Sequence, residues 1–218
     1  MLKYPCLVLD HDDTVVQTER AIGYPYFREY LKKIRPGTDI SFREYVHTFH
    51  NAVFADVCRE RWQFTEEEQK EEYGNWQIYR RNTVAPLYPG IDSVIRRQKA
   101  EGGLVCVVSL SDREDVLHDY RHHFGFEPDV VYGKELPRHQ RKPDPWPILD
   151  IMARFALKPE QMLMVDDMPL GWSMATKAGI DTVFAGWSRP DFPELMTEMM
   201  EICKYSFNYP EKLEEFLF

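Results

Sequence analysis

Residues 6–14 read CLVLDHDDT: an apolar run from Cys6 to Leu9 leads into three acids within four positions, Asp10, Asp12 and Asp13. A short apolar run of this kind suits a strand buried on both sheet faces. The acids are harder to place, because crowded carboxylates repel one another and raise each other's pKa. Taken alone, the stretch reads as a strand ending in a solvated, charged turn. The rest of the chain changes that reading.

From Pro86 onward, short β-rich runs alternate with helical patterns. Ile91, Val94 and Ile95 share one side of a helix over 91–100, which stops at Gly102-Gly103. LVCVVS (104–109) is a second buried strand. SDRE (111–114) has the form of a capping box and predicts a helix with Val116, Leu117 and Tyr120 inward. DVVY (129–132) is a third strand. A helix over 144–156 has Pro145 near its first turn and carries Ile148, Leu149, Met152 and Phe155. MLMV (162–165) is a fourth strand, followed by a helix that ends at Ala178-Gly179. TVFA (182–185) is a fifth. Alternation of this kind predicts an α/β fold, with an open, mostly parallel sheet and helices on both faces.

Residues 18–85 carry helical patterns with no strand run between them. A helix over 19–35 stops at Pro36-Gly37. Ser41 with Glu44, and Thr65 with Glu68, form capping boxes that start two more. Glu66, Glu67 and Glu68 suit a helix N-terminus. Tyr24, Tyr26, Phe27, Tyr30, Phe49, Phe54, Trp62 and Trp76 read as this module's own core. The expected organisation is a core of residues 1–17 and 86–218, with a helical module over 18–85 inserted after the first strand.

Composition narrows the function. The 218 residues are 44% hydrophobic and 29% charged, as in ordinary globular proteins, and the net charge is −9. An acidic chain argues against sequence-independent nucleic-acid binding, which needs basic surface. Cys6, Cys58, Cys106 and Cys203 are scattered without CxxC spacing, which argues against disulfides or a zinc cluster. No apolar run approaches membrane-spanning length, and the N-terminus lacks the apolar region of a signal peptide. The expectation is a soluble cytoplasmic protein, monomeric by default, with neither nucleic-acid nor membrane partners.

Ligands of open parallel sheets bind at the carboxyl ends of the strands. Here those ends carry Asp10-His11-Asp12-Asp13-Thr14, Ser109-Leu110-Ser111 and Asp166-Asp167, and RKPDP with Lys142 precedes the helix at 144. If the strands are neighbours, carboxylates, a hydroxyl and one ammonium share a crevice. Several carboxylates stay ionised together when a divalent cation sits among them, and hard oxygen ligands suit Mg²⁺. A hydroxyl and a lysine would hold the other oxygens of a phosphoryl group, whose transfer needs mainly positioning and charge neutralisation.

DHDDT, VVS, KPDP and MVDD, in this order, resemble the four motifs of the haloacid dehalogenase superfamily, and the resemblance covers nearly the whole chain. PLYPGI (86–91) is similar to the family's re-entry into the core. The resemblance implies a Rossmann-like three-layer core with a small all-helical cap after the first strand. It also implies a Mg²⁺-dependent phosphohydrolase acting on a small phosphorylated metabolite. Asp10 would be the nucleophile that forms an aspartyl-phosphate. Asp12 would be the acid that protonates the leaving oxygen and then deprotonates water. Ser109 and Lys142 would hold the phosphoryl group. Mg²⁺ would lie on the Asp10 carboxylate, the Asp12 carbonyl and Asp167, with Asp166 behind it or as the alternative ligand. An acid two residues after the nucleophile marks the family's phosphatases and phosphotransferases and excludes dehalogenation.

The sequence also departs from the family pattern. Asp13 stands where many relatives have glycine, Gly171 where many have a second acid, and Leu110 where a small or amide residue is common. His11 alternates with the aspartates and is expected to face packing. Arg138, His139 and Arg141 are expected to be solvated. His47, His50, Arg59, Arg61, Arg80 and Arg81 are candidates for recognising an anion, with surface placement the plain reading of each. The rival functions are a phosphomutase of the same superfamily, a non-enzymatic Mg²⁺-dependent phospho-acceptor switch, and a degenerate member that only binds.

Overall fold

Every apolar run lacking helical periodicity becomes a strand in the computed structural model, which describes residues 2–218. The chain divides into two compact units, Met1–Val16 with Leu87–Phe218, and Gln17–Pro86.

The first unit holds a six-stranded sheet formed by β1 (Cys6–Leu9), β2 (Leu104–Val108), β3 (Val130–Tyr132), β4 (Met162–Asp166), β5 (Asp181–Ala185) and β6 (Tyr205–Phe207). The order is β3-β2-β1-β4-β5-β6 and every pairing is parallel. The predicted α/β architecture is therefore the one observed. Strand β1 is central, and the strand order reverses beside it, between β1 and β4. Register fixes what meets there: Leu9 pairs with Val107 on one side and with Val165 on the other. The next residue, Asp10, donates its N–H to the Val165 carbonyl at 2.9 Å, which sets it level with Asp166.

Side chains alternate across a strand, so a sheet covered on both faces needs continuous apolar runs. Cys6, Val8, Cys106, Met162 and Met164 pack with Ile148 and Ile151 of the helix Trp146–Arg154 and Met174 and Ala175 of the helix Pro169–Ala178. Leu7, Leu9, Val105, Val107, Leu163 and Val165 point the other way and are equally buried. The helices of Gln17–Pro86 take the labels α1 to α4 below, and those of the core follow in chain order: α5 (Ile91–Ala100), α6 (Arg113–Phe124), α7 (Trp146–Arg154), α8 (Pro169–Ala178), α9 (Pro193–Ile202) and α10 (Pro210–Leu217). Helix α5 packs on β2, α6 on β3, and α10 on α5 and β6. Among the described residues, no helix is long and apolar enough to cross a membrane.

The second unit contains α1 (Tyr24–Ile34), α2 (Phe42–Phe49), α3 (Phe54–Trp62) and α4 (Glu66–Arg81). Both capping boxes form, Ser41 with Glu44 and Thr65 with Glu68. The aromatics are this unit's interior: Phe27, 1% exposed, has Trp62, Phe54, Phe49 and Tyr45 at ring-centroid distances of 5.1, 5.3, 5.6 and 5.8 Å.

Several expectations need correction. The helix expected over 19–35 begins as a π-turn, Glu19–Gly23, and becomes α-helical only at Tyr24. Pro25 lacks the N–H that would reach back to residue 21, so the regular ladder cannot run through it. The helix expected over 144–156 is shorter, Trp146–Arg154. The capping box at Ser111 does not form: the N-cap of α6 is Asp112, without a side-chain capping bond, and the Ser111 hydroxyl is used elsewhere. His50 and Arg80 are buried and not on the surface; Arg80 Nη1 donates to the Thr83 carbonyl at 2.8 Å.

Phe27→Ala is expected to lower stability by about 3–5 kcal/mol, the range for deleting a buried phenylalanine. Urea denaturation followed by tryptophan fluorescence reads this directly, since Trp62 lies against the ring. A loss below about 1 kcal/mol would show that the cluster is not the unit's core.

Candidate active site

The turn after β1 is held by main-chain hydrogen bonds. The Val15 N–H donates to the His11 carbonyl at 2.9 Å, and the Asp13 N–H to the Val16 carbonyl at 2.7 Å. Asp13 takes up the left-handed backbone this requires (φ 55°), a conformation aspartate tolerates better than most residues. Its carboxylate accepts a hydrogen bond from the Tyr88 hydroxyl at 3.1 Å. Burial, then the neighbouring Asp13 charge, push the Tyr88 phenol up, which keeps it a donor. His11 is fully buried and pairs with Asp119 of α6 (Nε2 to Oδ2, 3.0 Å), tying the turn to that helix.

Asp10, Asp166 and Asp167, all buried, each offer a carboxylate oxygen within 4.8 Å of the others. The Lys142 ammonium, also buried, donates to Asp10 Oδ1 at 2.5 Å and to Asp166 Oδ2 at 2.6 Å. Burial alone would lower the lysine pKa, but the charges of Asp10 and Asp166 more than reverse this and raise it, so the ammonium stays protonated. Asp10 moves well above the usual carboxylate range. Burial is the main cause, Lys142 opposes it, and Asp166, Asp167 and Asp12 add repulsion.

Asp12 is held differently. Its Oδ2 accepts from the Ser111 hydroxyl at 2.6 Å and from Ser109 at 3.1 Å, while the Ser111 N–H donates to Ser109 Oγ at 2.9 Å. The structure thus brings Asp10, Lys142, Asp166 and Asp167 together and sets Asp12 with Ser109.

Three groups had no role in the sequence reading, Asp119, Tyr88 and Arg189, and Ser111 was read there as a helix cap. The Arg189 guanidinium is buried and donates to Asp167 Oδ2 at 2.5 Å. Its one signal in the sequence was position, a few residues past the apolar run 182–185.

The donor set fits a divalent cation. Asp10, Asp166 and Asp167 outnumber Lys142 and Arg189 by one formal charge, and all their donors are hard oxygens. The Asp12 carboxylate faces the serines, so any part Asp12 takes in holding an ion falls to its main-chain carbonyl.

Gly171, in the first turn of α8, has a steric reason to be glycine. A Cβ there would lie 1.8 Å from Asp166 Oδ2. The Asp166 carboxylate therefore fills the space that an acid at 171 would need. Its Oδ1 accepts the Met168 N–H at 2.8 Å, at the positive end of the helix.

Residues 7–185 match the sequence model of a family described as haloacid dehalogenase-like hydrolase. The fold is similar to that of a Bacteroides fragilis protein provisionally named a haloacid dehalogenase-like hydrolase, with 21% identity, TM-score 0.80, and 97% of this chain and 100% of that chain covered. It is also similar to a Lactobacillus plantarum protein provisionally named a phosphoglycolate phosphatase, with 22% identity, TM-score 0.79, and coverage of 98% and 99%. CbbY from Rhodobacter sphaeroides, solved with xylulose-(1,5)bisphosphate, is similar at 16% identity, TM-score 0.75, and coverage of 98% and 96%. At these identities the likeness is one of fold. No curated protein matches the chain by sequence.

Gly171→Ala is expected to destabilise the protein by about 1–3 kcal/mol or more, as overpacking forces Asp166 off Lys142 or shifts α8. Thermal unfolding of the purified variant measures this. An unchanged melting temperature would show that Asp166 can leave its position freely.

Proposed function

The chain belongs to the haloacid dehalogenase-like hydrolase family, and on that premise we propose that it is a Mg²⁺-dependent phosphatase of small phosphorylated metabolites, working through an aspartyl-phosphate on Asp10. The observation that carries the reading is the contrast between Asp10 and Asp12, two residues apart and held by different partners. Asp10 Oδ attacks phosphorus and forms the acyl-phosphate bond while the bond to the leaving oxygen breaks. Lys142 stays protonated beside Asp10, so it offsets charge and does not compete for the proton. Asp12 gives its proton to the leaving oxygen. The hydroxyls of Ser109 and Ser111 donate to Asp12, which stabilises the carboxylate left behind. Asp12 then takes a proton from water, whose oxygen attacks phosphorus and releases phosphate with Asp10 restored.

Asp10, Asp167 and the Asp12 carbonyl would hold Mg²⁺, with Asp166 the alternative carboxylate. The ion supplies neutralisation of phosphoryl oxygen charge. The bonds from Lys142 to Asp166 and from Met168 N–H to the same carboxylate support Asp167 as the ligand of the pair. Choice of substrate is assigned to the helical unit Gln17–Pro86.

Asp10→Asn is expected to reduce phosphate release by about a thousandfold or more, without lowering the melting temperature. The amide keeps the shape and removes one of the crowded charges. The assay is phosphate release from sugar phosphates, nucleotides and an aryl phosphate, with Mg²⁺ and with chelator, beside this variant. Full turnover by Asp10→Asn, or turnover indifferent to chelator, would sink the mechanism. Isomerisation of a sugar phosphate without net release would reassign the protein to the mutases.

A further inference from the structure

We propose that Arg189 is an internal counter-ion of the metal site, holding Asp167 in the metal-free protein and keeping the affinity for Mg²⁺ modest. The inference rests on the reading of Asp167 as a metal ligand, and it concerns a residue outside the four motifs.

Arg189 reaches Asp167 from the neighbouring strand. It follows a short 3₁₀ turn, Gly186–Ser188, directly after β5, while Asp167 follows β4, to which β5 is paired in parallel. The turn is fixed from several sides. Trp187 Nε1 donates to the Thr14 carbonyl at 3.0 Å, which ties it to the turn after β1. Ser188 Oγ donates to the Ala185 carbonyl at 2.9 Å, and the Phe192 N–H donates to the Arg189 carbonyl at 3.0 Å. At Gly186 a Cβ would lie 2.8 Å from Asn208 Oδ1 and 3.0 Å from the Phe207 carbonyl, so the turn sits against the end of β6. A guanidinium delivered by so constrained a turn, with both side chains of the pair about as buried as any in the core, is a built contact.

Its chemistry follows from the charge count. Lys142 is shared by Asp10 and Asp166, and Arg189 serves Asp167. A buried charge is strongly destabilising without a partner. Arg189 thus lets the acid cluster assemble before any ion arrives. The same guanidinium draws on the Asp167 carboxylate and repels a second cation on it. Both effects favour the metal-free state over the loaded one, so a variant lacking the charge shifts the balance in the opposite direction.

The test is calorimetric titration with Mg²⁺ of the parent protein, Arg189→Met and Arg189→Lys, with thermal unfolding in chelator and in saturating Mg²⁺. Arg189→Met is expected to bind Mg²⁺ about tenfold more tightly, to melt lower than the parent in chelator, and to recover most of that loss with Mg²⁺. Arg189→Lys keeps the charge and is expected to stay within about threefold of the parent's affinity. Unchanged or weaker binding by the methionine variant overturns the proposal. So does a loss of melting temperature that is equal with and without Mg²⁺, which is what a purely structural role produces. A methionine variant that stays unfolded in saturating Mg²⁺ overturns it too, because the ion is expected to replace the missing charge. A lysine variant whose affinity moves as far as the methionine variant's does the same. A parent protein that binds no Mg²⁺ at all fails at the earlier step, in the reading of the acid cluster itself.

Discussion

A buried ammonium between two buried carboxylates organises the core unit: Lys142 donates to both Asp10 and Asp166, out of reach of water. Such a group survives only where carboxylates are fixed beside it, since without them its charge would have no compensation. That requirement propagates outward. Asp10 and Asp166 must stand level, which demands the parallel register of β1 and β4. The Asp166 carboxylate needs open space on α8, which demands that residue 171 carry no Cβ. The acids still exceed the cations by one formal charge.

Parallel pairing explains why residues so far apart in sequence converge. The strands all end on the same edge, so whatever follows each apolar run arrives at that edge. Asp10 follows β1, Ser109 and Ser111 follow β2, and Arg189 lies shortly beyond β5. The reversal of strand order beside β1 keeps the connecting chain from covering this place. Sheet topology therefore acts as the site's collecting device. Local turns set the remaining details, above all the left-handed Asp13 that turns the chain after the first two acids.

The sheet was largely legible because two-faced burial writes a continuous apolar run, and CLVL, LVCVV and MLMV are plain examples. Strand β6 was not, because Tyr205–Phe207 is three residues long, half-buried and at the sheet edge, with no run to read. Helix α3 was hidden by an N-cap at Val53 that makes no side-chain bond, whereas α2 and α4 announced themselves through capping boxes. Ser111 shows the limit of a local motif. Its spacing to Glu114 spelled a cap, but the Asp12 carboxylate, distant in sequence, competed for the hydroxyl and won. Arg189 had no motif at all; its role exists only because β5 pairs with β4.

The question raised by DHDDT has a chemical resolution. Identical side chains become different reagents through their partners. Asp10 shares an ammonium and is pressed toward neutrality by burial and its acidic neighbours. Asp12 has two hydroxyls, from Ser109 and Ser111, that donate to one oxygen of its carboxylate. Asp13 has a phenol that stays protonated and serves the turn. Asp166 has an ammonium and a helix N–H, and Asp167 a guanidinium. Crowding that would be a defect on a bare surface becomes division of labour once each carboxylate has its own counterpart. The fold's task is to deliver those counterparts from separate strands.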